Sequence, residues 1–323
     1  MLLLRARSWD EALHTIELLI GTFWLRPYVF GFLAAFLVIA LSEIGPRRAA
    51  VWAAIGFAVA FVCEYSSTRN GFPFGLYHYL DAATRDRGST ELIRVLDPAA
   101  ASAPARLQTS IVSGHRADFA LMLMDPDPLR IDAVHQQLLA GPLGPTLEAT
   151  YSFVSMTEVS EYVPSAEQYR ERLIAEGETA GSPALVAKVK AYERREPAMR
   201  RQRLTPDFPA WPATCFYPMN KKRQVGENWF TLEFAVRNRL MAEHARSGML
   251  FAGKVTQLIT VALGLDDWEW GVTLWATNPS YLKDIVYRMR FDEASARYAE
   301  FGPFYVSYLA DAATILQHCR VAC

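Results

Sequence analysis

Two stretches near the N-terminus carry almost no charge, and they limit the chain's possible folds more than any other feature. From Leu18 to Ser42 the only charged residue is Arg26, and from Ala49 to Cys63 there is none. About 20 apolar residues suffice to cross a bilayer, so 18–42 is long enough and 49–63 is short enough to require a tilted or partly buried second helix. The first stretch is too long, starts too late and follows Glu17 too closely to be a cleaved signal peptide. Beyond about Gly88 charges are spread throughout, as in a soluble domain. The pattern predicts a helical membrane segment over 1–88, with membrane association through 18–63, joined to a globular body. Arg47 and Arg48 in the turn favour a cytoplasmic turn. Arg5, Arg7, Arg69, Arg85 and Arg87 favour cytoplasmic ends, which place the body in the cytoplasm at the inner membrane, the preferred reading.

A length of 323 residues allows two or three domains. A net charge of −1 and the lack of a basic–aromatic stripe argue against nucleic acid as a partner. Four cysteines without a Cys-x-x-Cys pair indicate a reducing compartment rather than a disulfide framework.

Within the body, 207–310 has the order strand, helix, strand, strand, helix, strand. Gly226–Leu232 is predicted as a strand. Glu233–Ala245 reads as a helix with Val236, Leu240, Met241 and His244 on one face. Val255–Leu263 and Trp268–Ala276 flank the Gly264-Leu265-Asp266-Asp267 turn. Pro279 opens a helix to about Arg290, and Phe301–Leu309 is the last strand. This is the βαββαβ ferredoxin-like unit. Residues 89–165 look like a degenerate copy, with a strand at Thr90–Leu96, a hairpin around Gly114-His115, a helix at Leu129–Ala140 and a long strand at Thr150–Tyr162. The first helix of that copy is absent from the pattern. Residues 166–206 read as a helical linker and 311–323 as a tail. The expected class is therefore α+β: two ferredoxin-like halves, the first incomplete, forming one ligand-binding body behind a helical membrane segment.

The chemistry concentrates in Phe-Tyr-Pro-Met-Asn-Lys-Lys-Arg (216–223), with the helical His244 beyond it. A redox-capable phenol, clustered cations and one nitrogen ligand suit an anionic, metal-bearing ligand such as an iron porphyrin with carboxylates. His115 and His135 lack acidic neighbours at ligand spacing, and Asp266-Asp267 is ordinary turn chemistry.

Several runs carry a family resemblance: Tyr-Pro-Met-Asn-Lys-Lys-Arg (217–223), Asn-Trp-Phe (228–230), Arg-Leu-Met-Ala-Glu-His (239–244), Gly-Lys-Val-Thr-Gln (253–257), Gly-Leu-Asp-Asp-Trp-Glu-Trp-Gly-Val (264–272) and Met-Arg-Phe-Asp-Glu-Ala-Ser-Ala-Arg-Tyr (289–298). The body resembles the chlorite dismutase superfamily, specifically its coproheme decarboxylases, over roughly 107–309 and most densely from 203 to 305. The resemblance implies paired ferredoxin-like halves assembled as a homo-pentamer. It also implies Fe-coproporphyrin III (coproheme) as substrate and cofactor, haem b as product and hydrogen peroxide as oxidant. His244 would be the axial ligand of the haem iron, Tyr217 the hydrogen-abstracting residue and Lys221 its substrate-positioning companion. Arg203, Arg290 and Ser295 would hold propionates, with Met219 as an apolar contact. Gln257 would occupy the distal pocket; Arg at that position marks chlorite-decomposing members. The alternatives are a haem-binding peroxidase-like protein without decarboxylase activity and a non-catalytic haem-binding or membrane fusion protein. Separately, Gly-Phe-Pro-Phe-Gly-Leu-Tyr-His-Tyr (71–79) resembles a signature of the integral-membrane carotenoid biosynthesis proteins, a likeness confined to roughly 20–82.

Overall fold

The structure, a computed structural model, describes residues 27–73 and 82–321. Residues 1–26, 74–81 and 322–323 lie outside this description, and with them the start of the expected membrane segment, most of the 71–79 signature and Cys323. The chain divides into two compact units, residues 1–79 and 80–323.

The described part of the first unit is a helical hairpin. Helix α1 (Pro27–Glu43) is followed after two residues by α2 (Pro46–Asn70). Gly45 turns the chain at φ 80°, a conformation glycine adopts without steric cost, and Pro46 starts α2 with its φ already helical. Gly71, left-handed at φ 79°, ends α2 by donating its N–H to the Ser67 carbonyl at 3.1 Å. Among the described side chains of this unit, those buried are small: Ala40, Ala49 and Ser67. Phe32, Val38, Ile39, Trp52, Phe57, Phe61 and Val62 point outward. At 25 residues, α2 is about 37 Å long and apolar enough to cross a bilayer's hydrocarbon core of about 30 Å. Its most apolar 18-residue window is only 6% buried.

In the second unit α3 (Ala82–Val95) precedes the hairpin β1 (Arg106–Val112) and β2 (Phe119–Met124), and α4 (Pro128–Ala140) follows. Residues 90–96, expected as a strand, are therefore mostly helical. The helix that seemed missing from the first half is α3. Its charge-rich sequence hides an apolar stripe: Leu92, Val95 and the following Leu96 pack with Val134, Leu138 and Leu143. Gly88 allows this approach, since a Cβ there would sit 2.6 Å from Leu143 Cγ. Helices α5 (Ala166–Ala175) and α6 (Pro183–Leu204) form the linker, joined by Tyr192 stacked on Tyr169 at 4.4 Å.

The second half contains β3 (Ala213–Lys221), the short hairpin β4 (Arg223–Gln224) and β5 (Glu227–Asn228), α7 (Phe234–Met249), β6 (Val255–Val261), β7 (Trp270–Ala276), α8 (Pro279–Met289), α9 (Glu293–Ala296), β8 (Ala299–Phe301) and β9 (Tyr305–Leu309). Helix α10 (Ala312–His318) closes the body against the first-half core. The strand order β9-β3-β7-β6 is that of an antiparallel ferredoxin-like sheet, and the fold is α+β. One sheet runs through both halves because β9 pairs with β1 as well as β3. A buried hydroxyl line stitches this seam: Ser110 Oγ donates to Ser307 Oγ at 2.9 Å, and Thr214 Oγ1 lies 2.6 Å from Ser307 Oγ.

Three expected strands come out differently. Residues 226–232 shorten to β5 and then turn as a 3-10 helix at Trp229–Thr231. The stretch 150–162 forms no strand and, among the described residues, pairs through the Met156–Val261 bridge. The last strand breaks between Phe301 and Tyr305, opposite Pro218 in the centre of β3. Proline has no N–H to give a ladder, so the neighbouring chain pairs before and after it. Gly302 N–H still reaches the Pro218 carbonyl at 2.9 Å.

Candidate functional site

Strand alternation puts Ala213, Cys215, Tyr217 and Met219 on one face of β3, where Leu282, Ile285 and Met289 of α8 cover part of the row. The strand break described above frees Phe304 to stack on the Tyr217 ring at 4.5 Å, with Phe301 5.9 Å away. Tyr217 is buried, and that burial pushes its phenol well above the ordinary range; nearby Cys215 adds to the rise and Arg290 opposes it. It is therefore a neutral O–H at any physiological pH.

Lys221, four residues on, carries its ammonium 4.1 Å from the centroid of the Trp229 ring. It has no carboxylate partner among the described residues. Burial lowers its pKa to about 8. A desolvated cation without a counter-charge is a site for an anion. Lys222 and Arg223, expected as solvated charges, are instead paired with Glu227 and Glu269, each at 3.1 Å.

His244 projects from α7 toward α9. Its Nδ1 lies 3.2 Å from Asp292 Oδ2 and 3.4 Å from Ser295 Oγ. Asp292 is 3% exposed, and its other oxygen accepts a 2.7 Å hydrogen bond from Ser247. Burial draws the imidazole pKa below its usual value; the Asp292 carboxylate opposes the shift and the Lys221 cation adds to it. The neutral ring then donates Nδ1–H to Asp292 and keeps the lone pair of Nε2, which has no hydrogen bond among the described residues. A carboxylate behind a ligating imidazole fixes its tautomer and raises its basicity.

Arg290 ends α8 with its guanidinium carbon 3.7 Å from the centroid of the Phe301 ring. Gln257 is exposed on β6. The register pairs it with Leu274, which also pairs with Cys215, so Gln257 shares the sheet face of Tyr217. Of the residues expected from sequence, Tyr217, Met219, Lys221, His244, Arg290 and Ser295 thus gather around one region, with Gln257 on the same sheet face. Arg203 is exposed in the last turn of α6, with no hydrogen bond or ion pair among the described residues. Asp292, Trp229 and Phe304 complete the cluster and were not foreseen. Asp292 lies 48 residues from His244, so no local spacing announces the pair.

The donor set fits an iron porphyrin. It offers one neutral imidazole with a free lone pair, an unpaired cation for carboxylate and an aromatic-lined sheet face. A family model described as chlorite dismutase matches residues 85–310. The chain belongs to the chlorite dismutase family. Among relatives of this family, the coproheme decarboxylase of Oceanobacillus iheyensis is 36% identical over 211 residues, covering 65% of this chain and 75% of the relative. A heme-binding protein from Thermus thermophilus superposes with a TM-score of 0.60 at 32% identity, over 75% of this chain and 87% of that one. A chlorite dismutase variant from Candidatus Nitrospira defluvii superposes with a TM-score of 0.53 at 14% identity, over 74% and 87% of the two chains, a likeness of fold.

Proposed function

We propose that this chain converts coproheme to haem b by peroxide-dependent oxidative decarboxylation of two propionates. The observation that carries the reading is the shared setting of Tyr217, Lys221 and His244: a neutral phenol, an unpaired buried cation and a carboxylate-backed imidazole. When bound, the iron porphyrin supplies the oxidising power drawn from hydrogen peroxide. His244 Nε2 would hold the iron, with Asp292 steadying the ring. Lys221, with Arg290 and Ser295, would anchor propionates, and Met219 would line the apolar side. Because its phenol stays protonated, Tyr217 would act through its hydrogen atom, passing the oxidising equivalent to a propionate. Per propionate, one peroxide and one proton are consumed; vinyl, carbon dioxide and two waters are formed. A neutral Gln257 lacks the cation that would stabilise chlorite-derived oxyanions, which supports decarboxylation over chlorite breakdown. Arg203 is proposed as a propionate contact on resemblance alone.

Titration with coproheme followed by peroxide tests this. The expected result is stepwise loss of carboxyl groups from two propionates by mass spectrometry. Haem bleaching without vinyl product would leave a peroxidase-like protein; binding without reaction would leave a non-catalytic one. The outward apolar surface of the α1–α2 hairpin supports membrane insertion; a cytoplasmic body assembled as a pentamer is proposed on resemblance alone. Full-length chain should float with lipid vesicles on a density gradient, and a soluble full-length chain would overturn the insertion.

A further inference from the structure

Behind Tyr217, on the other face of β3, lies an aromatic group to which this chemistry gives no role. Tyr151 stacks on Tyr305 with ring centroids 5.2 Å apart and planes at 22°. Phe216 lies 6.2 Å from Tyr151 and 6.3 Å from Tyr305. This group connects to Tyr217 twice along the chain. Phe216 is its neighbour in β3, and Tyr305 directly follows Phe304, whose ring stacks on Tyr217. Tyr151 itself reaches the surface, 37% exposed.

The surroundings suit a tyrosine that is oxidised with loss of its proton. Burial raises the Tyr151 pKa to about 12, with the Asp266 carboxylate the next cause and Tyr305 and Asp267 behind it. Asp266 is held in place by accepting hydrogen bonds from the Val154 N–H at 3.1 Å and the Asp267 N–H at 2.8 Å. A fixed carboxylate whose charge acts on the phenol makes removal of an electron from it easier. On the other side, the Arg116 guanidinium sits 5.7 Å from the Tyr305 ring centroid, and a cation there makes a lasting charge on Tyr305 unfavourable.

We propose that the Tyr151–Tyr305 pair is an outlet that carries an unused oxidising equivalent from Tyr217 to the protein surface. It rests on the decarboxylase reading for the oxidation of Tyr217 and adds a protective branch, used when no propionate stands at the phenol. The Tyr217 phenoxyl gains one electron through the rings and one proton from water and becomes a phenol again. Tyr151 loses one electron and one proton; the proton passes to water at its exposed face, while Tyr305 relays the electron. A soluble thiol or ascorbate-class reductant returns Tyr151 to its starting state.

Coproheme-loaded protein treated with excess hydrogen peroxide and a nitroso spin trap, followed by peptide mass spectrometry, tests the outlet. The expected adduct is on Tyr151. It is lost in Tyr217→Phe, which still shows the haem absorption band, and reduced in Tyr305→Phe. Tyr151→Phe keeps the stacked ring and unchanged vinyl product but bleaches its haem sooner under excess peroxide. No Tyr151 adduct in the parent protein, or an equal one in Tyr217→Phe, overturns the outlet. Vinyl product without the adduct overturns the outlet alone. The adduct without vinyl product overturns decarboxylation alone. Failure to bind haem overturns both.

Discussion

The two halves of the body share a plan but divide the labour. In the first half α3, α4 and the β1–β2 hairpin form an aliphatic core of Leu92, Val95, Val134, Leu138 and Leu143, and no residue placed at the site comes from it. In the second half the same kinds of element carry Tyr217, Lys221, His244, Gln257 and Asp292, and its cores mix aromatic and polar groups with aliphatic ones. The contrast shows that a duplicated fold does not duplicate a site. The first half is a buttress: through the β1–β9 seam it fixes one edge of the sheet whose other strands hold the chemistry.

If that division is right, changes in the two halves should have separable effects. The largest is expected in the buttress. Leu138→Ala should cost about 2–5 kcal/mol of stability. A denaturation midpoint checks this, and the haem spectrum of the folded fraction should not move; a spectral shift would tie the first half to the site. Next, Tyr217→Phe should bind coproheme normally and lose on the order of 100-fold in turnover. Normal turnover would remove Tyr217 from the reaction. Asp292→Asn should weaken haem affinity by about tenfold and shift the haem absorption, because second-shell carboxylates tune ligating imidazoles on that scale; an unchanged spectrum would reduce Asp292 to a structural role. The smallest effect concerns Lys221. Its pKa of about 8 lies below the unfolded value, so anion binding gains from its charge below pH 8. Coproheme affinity should fall as pH rises above 8, by at most tenfold per unit. Lys221→Met should flatten that step, measured by titration at pH 7 and 9. The same depressed pKa means folding stability contributed at this residue rises, not falls, between pH 8 and the unfolded value.

Much of the second half was legible because its signals are local. Period-two alternation marks β6, and the 3.6-residue period marks the face of α7 that includes His244, whereas β3 (Ala213–Lys221) was missed and the first strand of this half was placed at 226–232. The first half was harder. Residues 82–95 contain Arg85, Asp86, Arg87 and Glu91, and their charge masks a stripe whose partners come from α4 and α10. Arg203 lies exposed in the last turn of α6, where local sequence gives no sign of what it faces.

The sequence by itself determined the α+β class, the split between an apolar head and a charged body, and the clustering of a phenol and cations in 216–223. These follow from periodicity, composition and residue chemistry, all properties of neighbouring positions. Only the tertiary structure decided that Asp292 stands behind His244, that Lys221 lacks a counter-charge, and that Phe304 folds back onto Tyr217 where Pro218 interrupts the ladder. Each depends on the desolvation and distance of groups far apart in the chain, which no local pattern encodes.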